Sequence, residues 1–304
     1  MRVWCAYGLS IHSELPLPEC PPGKGPPDVT VRYGKVRPIP ELDESLGRGF
    51  WVKGSEACHR MGGVGSFLVR SGNEIIIDPE NEVPQELLRL SVLGPALGIA
   101  LHQRGHFALH ASSVALSGQA VAFIGGHRAG KSTTASLLHS RGHELVTDDV
   151  TVLERENGAE MVVPSFPQTK LWSDSVELLG LAAGELPQLH PEFQKFGWRP
   201  QTGFADASRP LKRLYVLGSG AAFAVERIQP HEGLGHIMQN WYGARFGPDL
   251  LQSLDSQSHF LRCVEIARRV PTRRLVRPVG SENCPPDVSR LEDQILRDLD
   301  DLSS

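Results

Sequence analysis

From Met1 to about Glu80 apolar and polar positions alternate over short stretches, as in Val29-Thr30-Val31-Arg32-Tyr33 and Glu74-Ile75-Ile76-Ile77-Asp78, with clusters of Gly and Pro between them. Such alternation bounded by turn residues marks strands, so a smaller, mostly β N-terminal domain is expected over residues 1–83. The period then changes. Leu87, Leu88, Val92, Leu93, Leu97, Ile99 and Leu101 fall at helical spacing between Pro84 and Gly105, and Gly94-Pro95 is placed to kink or split the helix. A second domain, residues 84–304, is expected to open there. Phe107 to Leu116 reads as one strand ending in the turn Ser117-Gly118, and the wholly apolar strand Ala120 to Ile124 follows. Lys131 to Arg141 is helical by composition with Gly142 as its stop, and Glu144 to Thr147 is a further strand. Val150 to Arg155 and Ala159 to Val163 flank Asn157-Gly158, a hairpin signal, so the central sheet of this α/β chain is expected to be mixed. Leu211 to Leu217 predicts another strand. Gly235 to Arg245 and Ser258 to Arg269 predict helices, and Asp287 caps a last one through Leu299.

Composition narrows the class without naming a chemistry. The 304 residues are 40% hydrophobic and 22% charged, as in ordinary globular proteins. A formal net charge of -4 gives no basic footprint for nucleic acid or an anionic membrane, so neither is an expected partner. Cys5, Cys20, Cys58, Cys263 and Cys284 are scattered and contain no C-x-x-C pair, and read as reduced, structural thiols. The opening residues lack an apolar stretch long enough for secretion, and Gly94 and Pro95 break the most apolar later one, so a cytoplasmic location is expected.

Chemistry enters at Gly125-Gly126-His127-Arg128-Ala129-Gly130-Lys131-Ser132, which satisfies G-x-x-x-x-G-K-[ST] between an apolar strand and a helix. Glycines let consecutive backbone N–H groups curl around phosphate oxygens, and the helix N-terminus adds partial positive charge. The stretch from Gly125 to Ser132, with Thr133 behind it, is therefore the expected ATP-binding segment. Lys131 is expected at the β- and γ-phosphates and Ser132 at Mg²⁺. Arg128 either meets phosphate or points to solvent. Asp148 and Asp149 follow the next strand, where two adjacent carboxylates suit one metal-facing group and one proton acceptor. A solvated turn is the competing reading of the pair. His110 is placed on the strand antiparallel to the loop strand, within reach of the phosphates or as a core histidine.

The run from Leu109-His110-Ala111 through the loop to Arg141-Gly142-His143-Glu144-Leu145-Val146-Thr147-Asp148-Asp149 resembles the HPr kinase/phosphorylase family, which phosphorylates a serine of a small carrier protein. The resemblance implies a P-loop core of that type with a mixed central sheet. It implies that Asp148 is the general base, that Asp149 lies toward the metal, and that His110 assists near the phosphates. Tyr7 to Glu19, Phe166 to Trp172 and Pro210 to Leu217 look like segments of the subgroup associated with lasso peptide biosynthesis, whose members phosphorylate the C-terminal serine of a precursor peptide. A ribosomal precursor peptide is the substrate this implies, and a homo-oligomer is compatible with it. The Leu-Glu-Ile-Arg-Gly signature of the bifunctional enzymes is missing, which sets aside phosphorylase activity; Asp174 or Glu177 are the candidates to replace its glutamate. Two other functions fit the loop: a nucleotide-gated peptide-binding module without phosphotransfer, and an ATP-dependent kinase of a small metabolite, as in the phosphoenolpyruvate carboxykinases with their related core. The run Arg268, Arg269, Arg273, Arg274 and Arg277 reads as a solvated helix end or an anion site, and Trp198, Phe204, Trp241 and Tyr242 as core or groove.

Overall fold

The computed structural model describes residues 1–37, 48–190, 193–246, 250, 256–278 and 287–301, which leaves Cys284 outside the described residues. The first seven strands are β1 (Arg2–Ala6), β2 (Leu9–Ser13), β3 (Val29–Tyr33), β4 (Arg48–Lys53), β5 (Glu56–Met61), β6 (Gly65–Arg70) and β7 (Glu74–Pro79). They form one mixed sheet in the order β1-β2-β3-β7-β6-β5-β4, with β3 parallel to both neighbours. Tyr7 and Gly8 close the first hairpin, both at positive φ (54° and 72°) as the tight primed turns require.

Helix α1 (Gln85–Ser91) runs into a π-helical turn, Val92–Ala96, and on into α2 (Leu97–Gln103). The expected break at Gly94-Pro95 is instead absorbed by that turn, because a π turn re-routes the hydrogen bonds that proline cannot make. Gly98 is needed at close quarters: a Cβ there would lie 2.1 Å from a ring carbon of Tyr242.

The expected strand from Phe107 to Leu116 is two strands, β8 (Phe107–Leu109) and β9 (Ser112–Leu116), bent at His110-Ala111. With β10 (Gln119–Ile124), β11 (Glu144–Thr147), β12 (Thr151–Glu156), β13 (Ala159–Val163) and β17 (Arg209–Gly220) they take the order β11-β9-β10-β17-β13-β12-β8. Successive strands β8 and β9 thus lie far apart in a curled sheet. Asn157 and Gly158 sit at φ 49° and 84°, the hairpin turn their sequence predicts. Strand β18 (Ala224–Arg227) pairs with β19 (Thr272–Pro278), which runs parallel to β17. A small sheet, β14-β16-β15, joins Thr169–Trp172, Phe193–Trp198 and Gln188–His190.

Helices cover both faces of the curled sheet. Helix α3 (Lys131–Ser140) and α7 (Val288–Asp300) bury Ala135, Leu138, Leu291, Ile295 and Leu299 on one side; α5 (Pro230–Gln239) and α6 (Ser256–Arg269) bury Ile237, Cys263 and Ile266 on the other. The short α4 (Ser173–Leu178) packs beside β14 and β16. The helix expected over Gly235 to Arg245 starts five residues earlier, where Gln229 and Glu232 make a capping box around Pro230, and stops before a separate 3-10 turn, Tyr242–Phe246. Asp287 caps α7 as expected, accepting from the Arg290 amide at 3.0 Å. Asp298 pins that helix to the sheet by accepting from Arg213, Arg273 and Tyr215. Among the described residues no helix is long and apolar enough to cross a membrane. The four described cysteines are free thiols, and burial pushes those of Cys20, Cys58 and Cys263 up.

The N-terminal sheet and the second half share one apolar core, in which Ile11, Val29 and Ile75 lie with Leu97, Val150, Val152 and Phe166. Buried Glu19 adds an ionic tie, accepting from Arg89 Nε at 2.8 Å on α1 and from Arg199 at 2.6 Å after β16. Without Glu19, Arg199 loses its carboxylate, while Arg89 keeps Glu86 at 2.8 Å. Glu19→Ala is therefore expected to cost about 2 kcal/mol, measured as a loss of denaturation free energy with the denaturant slope unchanged.

Candidate functional site

Strands β10 and β11 flank β9 and both run antiparallel to it. Their carboxyl ends and the start of β9 therefore meet at one edge of the sheet, which brings Gly125, Asp148 and Ser112 together. This is the edge where open α/β sheets bind ligands. Strand β19, parallel through β17 to β10, delivers Arg277 to the same edge.

The segment from Gly125 to Gly130 forms a tight loop between the buried strand β10 and α3. Gly125 and Gly130 have φ of 149° and 85°, and Arg128 lies in the left-handed region at 61°. Lys131 folds across the loop and donates to the carbonyls of Gly125 (2.9 Å) and Gly126 (3.1 Å), and burial pushes its ammonium down from its ordinary value. The Gly125 amide donates to Asn240 Oδ1 at 3.0 Å, while the carbonyl of Asn240 accepts from the His110 amide at 2.7 Å. Asn240 thus ties the loop to the bend between β8 and β9. The Arg128 guanidinium stacks 4.3 Å from the centre of the Trp172 ring, and His127 meets the same ring edge-on. Arg128 is exposed, as one of its two expected placements has it, with its guanidinium resting on that ring. Behind the loop, the hydroxyls of Thr133 and Ser175 are 2.7 Å apart, linking α3 to α4. Ser132, beside it, is half-buried at the start of α3.

The two aspartates have different surroundings. Asp148 is buried; Oδ1 accepts from Ser112 Oγ at 2.7 Å and Oδ2 from the Lys170 amide at 2.8 Å. Asp149, at φ 69°, is ringed by donors: the cations Lys170 (Nζ at 2.8 Å) and Arg245 (3.4 Å), and His110 Nδ1 at 3.2 Å. Burial acts to raise its pKa, yet Lys170, His110 and Arg245 hold the carboxyl well below its ordinary value. His110 is not on the strand paired with β10, since that pairing ends at Ser112 opposite Phe123. It stands at the bend, where Nδ1 faces both the carbonyl (3.0 Å) and a carboxylate oxygen of Asp149, so Nδ1 is placed to donate to Asp149.

Lys170, Lys195, Arg245 and Asn240 belong to the site and were not singled out by their sequence. Each arrives from a separate element, and only the tertiary fold aligns them. Burial pushes Lys195 down as well, with Asp149 and Lys170 nearby. Tyr7 and Tyr242 wall the acid pair: burial first, and then the neighbouring charges including Asp149, push both phenols up. Asp174 instead accepts from the amide of Ser175 on its own helix, and both Asp174 and Glu177 are exposed. The arginine run forms no single patch. Arg273 turns to Asp298, Arg274 toward Glu226, Arg269 to the Gly158 carbonyl and Arg277 under the loop.

The surplus of cations over carboxylates suits a polyanion such as a chain of phosphates. Among the described residues no group of three or more His, Cys, Asp or Glu converges as a metal cage. Ser132 and Asp149 are hard oxygen donors, the type Mg²⁺ takes when phosphate and water complete its shell.

No protein-family model matches the chain, and no curated protein matches it. Among solved structures, the Hpr(Ser) kinase/phosphatase from Coxiella burnetii is similar over 65% of this chain and 99% of that one, with 13% identity and a TM-score of 0.33.

A carboxyl depressed by its partners stabilises the fold above its unfolded pKa, here the ordinary 3.8, and loses that contribution as pH falls through the folded value. Lys170→Met is expected to move the Asp149 titration upward, followed by carboxyl-carbon NMR, and to shift the acid loss of stability to higher pH. An unchanged Asp149 titration would show that Lys170 does not hold it.

Proposed function

We propose that the chain is an ATP-dependent serine kinase whose acceptor is a peptide, in its most specific form the C-terminal serine of a lasso precursor. The observation that carries this reading is the meeting of a glycine loop, its lysine and a buried, oriented aspartate at one sheet edge, amid an excess of cations. Residues 84–304 are the catalytic domain on this reading, residues 1–83 the β domain behind it, and the cytoplasm its location.

The γ-phosphate of ATP lies across the loop, its charge met by Lys131 and the first amides of α3. Lys131 then exchanges its contacts with the Gly125 and Gly126 carbonyls for phosphate oxygens. The acceptor serine loses its hydroxyl proton to Asp148 as its oxygen bonds to the γ-phosphorus and the bond to the bridging oxygen breaks, releasing ADP. Ser112 and the Lys170 amide fix the orientation of the Asp148 carboxylate, and each of its oxygens keeps a lone pair to accept the proton. With Nδ1 donating to Asp149, His110 would donate to phosphate from Nε2 only when that nitrogen is protonated as well. Ser132 and Asp149 would hold Mg²⁺, which neutralises phosphate charge when bound.

One observation favours a nucleotide-gated binding module instead. Both oxygens of Asp148 already hold a protein donor, as structural carboxylates do. Mass spectrometry separates the two: incubation with ATP and peptides ending in serine is expected to add one phosphate to the peptide and release ADP in step. Binding of peptide with no mass change supports the module. Turnover of free serine or small acids without a peptide would move the assignment to a metabolite kinase. Asp148→Asn is expected to lower kcat by about 10²- to 10⁴-fold with ATP affinity nearly unchanged, and full turnover in that variant would remove Asp148 from the base role.

A further inference from the structure

Arg277, near the end of β19, enters the loop from the side of its carbonyls. Nη1 donates to Thr134 Oγ1 at 2.6 Å and lies 3.5 Å from the Gly130 carbonyl, and Nη2 donates to the Ala129 carbonyl. Thr134 Oγ1 passes its own proton to the Gly130 carbonyl at 2.8 Å, so guanidinium, hydroxyl and two loop carbonyls form one connected set. Gly130 is shaped for this guest. A Cβ there would lie 2.8 Å from Nη1, and its φ of 85° belongs to glycine in any case.

Two features of this arginine are unusual. Arg213 and Arg273 meet Asp298, and Arg274 faces Glu226, but no carboxylate pairs with Arg277 among the described residues. Its Nε is buried with no hydrogen-bond partner, and burial alone pushes the guanidinium down from its ordinary value. An unpaired, partly desolvated cation is costly, and the fold keeps it against the one loop that the sequence assigns to phosphate.

We propose that Arg277 is a positioning residue for polyphosphate binding, which turns the Ala129-Gly130 peptide toward the ligand and whose missing counter-charge the ligand supplies. The carbonyl and N–H of a trans peptide point in opposite directions. A guanidinium that holds the Ala129 carbonyl on its own side of the loop therefore directs the Gly130 amide to the opposite side. The positive charge behind that amide also strengthens it as a donor to an anion. Loop and arginine form a two-layer cradle: amides face the phosphate, and a fixed cation stands behind them. This inference rests on the reading of Gly125 to Ser132 as a phosphate site, but not on phosphotransfer.

The test measures binding of inorganic tripolyphosphate and of ATP to the full chain by calorimetry, with thermal melting of the free protein alongside. Arg277→Met is expected to weaken both ligands by about tenfold or more, and by the same factor, since the contact concerns phosphate rather than base. Its melting temperature without ligand is expected to match or exceed that of the wild type, because a partly desolvated cation without a counter-charge has been removed. Arg277→Lys keeps the charge without the fork and is expected to fall between the two. Wild-type affinity in both folded variants overturns the proposal, as does a failure of both variants to fold, which would make Arg277 structural. A wild-type chain that binds no tripolyphosphate sinks the phosphate loop and this inference together. One that binds it yet transfers no phosphate sinks the kinase reading alone.

Discussion

The geometry of the site depends on the ionic contact between Asp149 and Lys170. A carboxylate placed largely out of water is costly unless cations lie against it, and this one has two, from β14 and from the 3-10 turn after α5, with His110 at the bend before β9 as a further donor. The same Lys170 donates its backbone amide to Asp148. One residue therefore fixes both acids, through its side chain and its main chain. Asp149 is held at a left-handed φ that a non-glycine residue adopts only when its surroundings impose it, and the lysine contact and the carbonyl contact with His110 impose it. If this contact is weakened, the acid pair, the histidine and the small sheet lose their common reference.

Local sequence signals carried much of the fold. The strands at Val29, Glu74, Ala120, Glu144 and Ala159, the Asn157-Gly158 turn, the Gly142 stop and the Asp287 cap all rest on periodicity or on the conformational limits of one or two residues. The misses share a different cause. The π turn at Gly94-Pro95 survives because helices on both sides are packed, which propensity cannot see. The early start of α5 depends on a reciprocal cap built on glutamine rather than on the commoner serine, threonine or aspartate. His110 left the expected strand because β8 and β9 belong to distant places in one curled sheet, and only the strand order reveals the bend between them.

The site was legible in proportion to how local it is. The glycine loop is a contiguous motif, and the adjacent aspartates announce themselves by standing together at a strand end. Lys170, Lys195, Arg245, Asn240 and Arg277 come from five separate segments. Nothing in Thr169-Lys170-Leu171-Trp172 distinguishes a lysine that will neutralise an aspartate from one that will face water. The arginine run after α6 shows how closeness in sequence divides in the fold. Five charges close in sequence suggest one patch, yet β19 alternates its faces, so Arg273 and Arg277 point inward to different partners while Arg274 is exposed.

The N-terminal sheet has a part in the site that its position in the chain does not suggest. Its first turn sets Tyr7 at positive φ, with its amide donating to the Pro164 carbonyl and its ring edge-on to Phe166. That ring is buried close enough to the acid pair for both carboxylates to act on its phenol. Val150, directly after Asp149, and Phe166, shortly before Lys170, belong to the same apolar core as the strands of that sheet. Cross-linked in this way, the sheet supports both segments that carry the Asp149–Lys170 contact. The second half without it would expose Val150 and Phe166 and let water reach the pair, and water weakens the electrostatic contact on which the geometry depends. The physical unit that makes the site is thus larger than the loop and the strands that bear its chemistry.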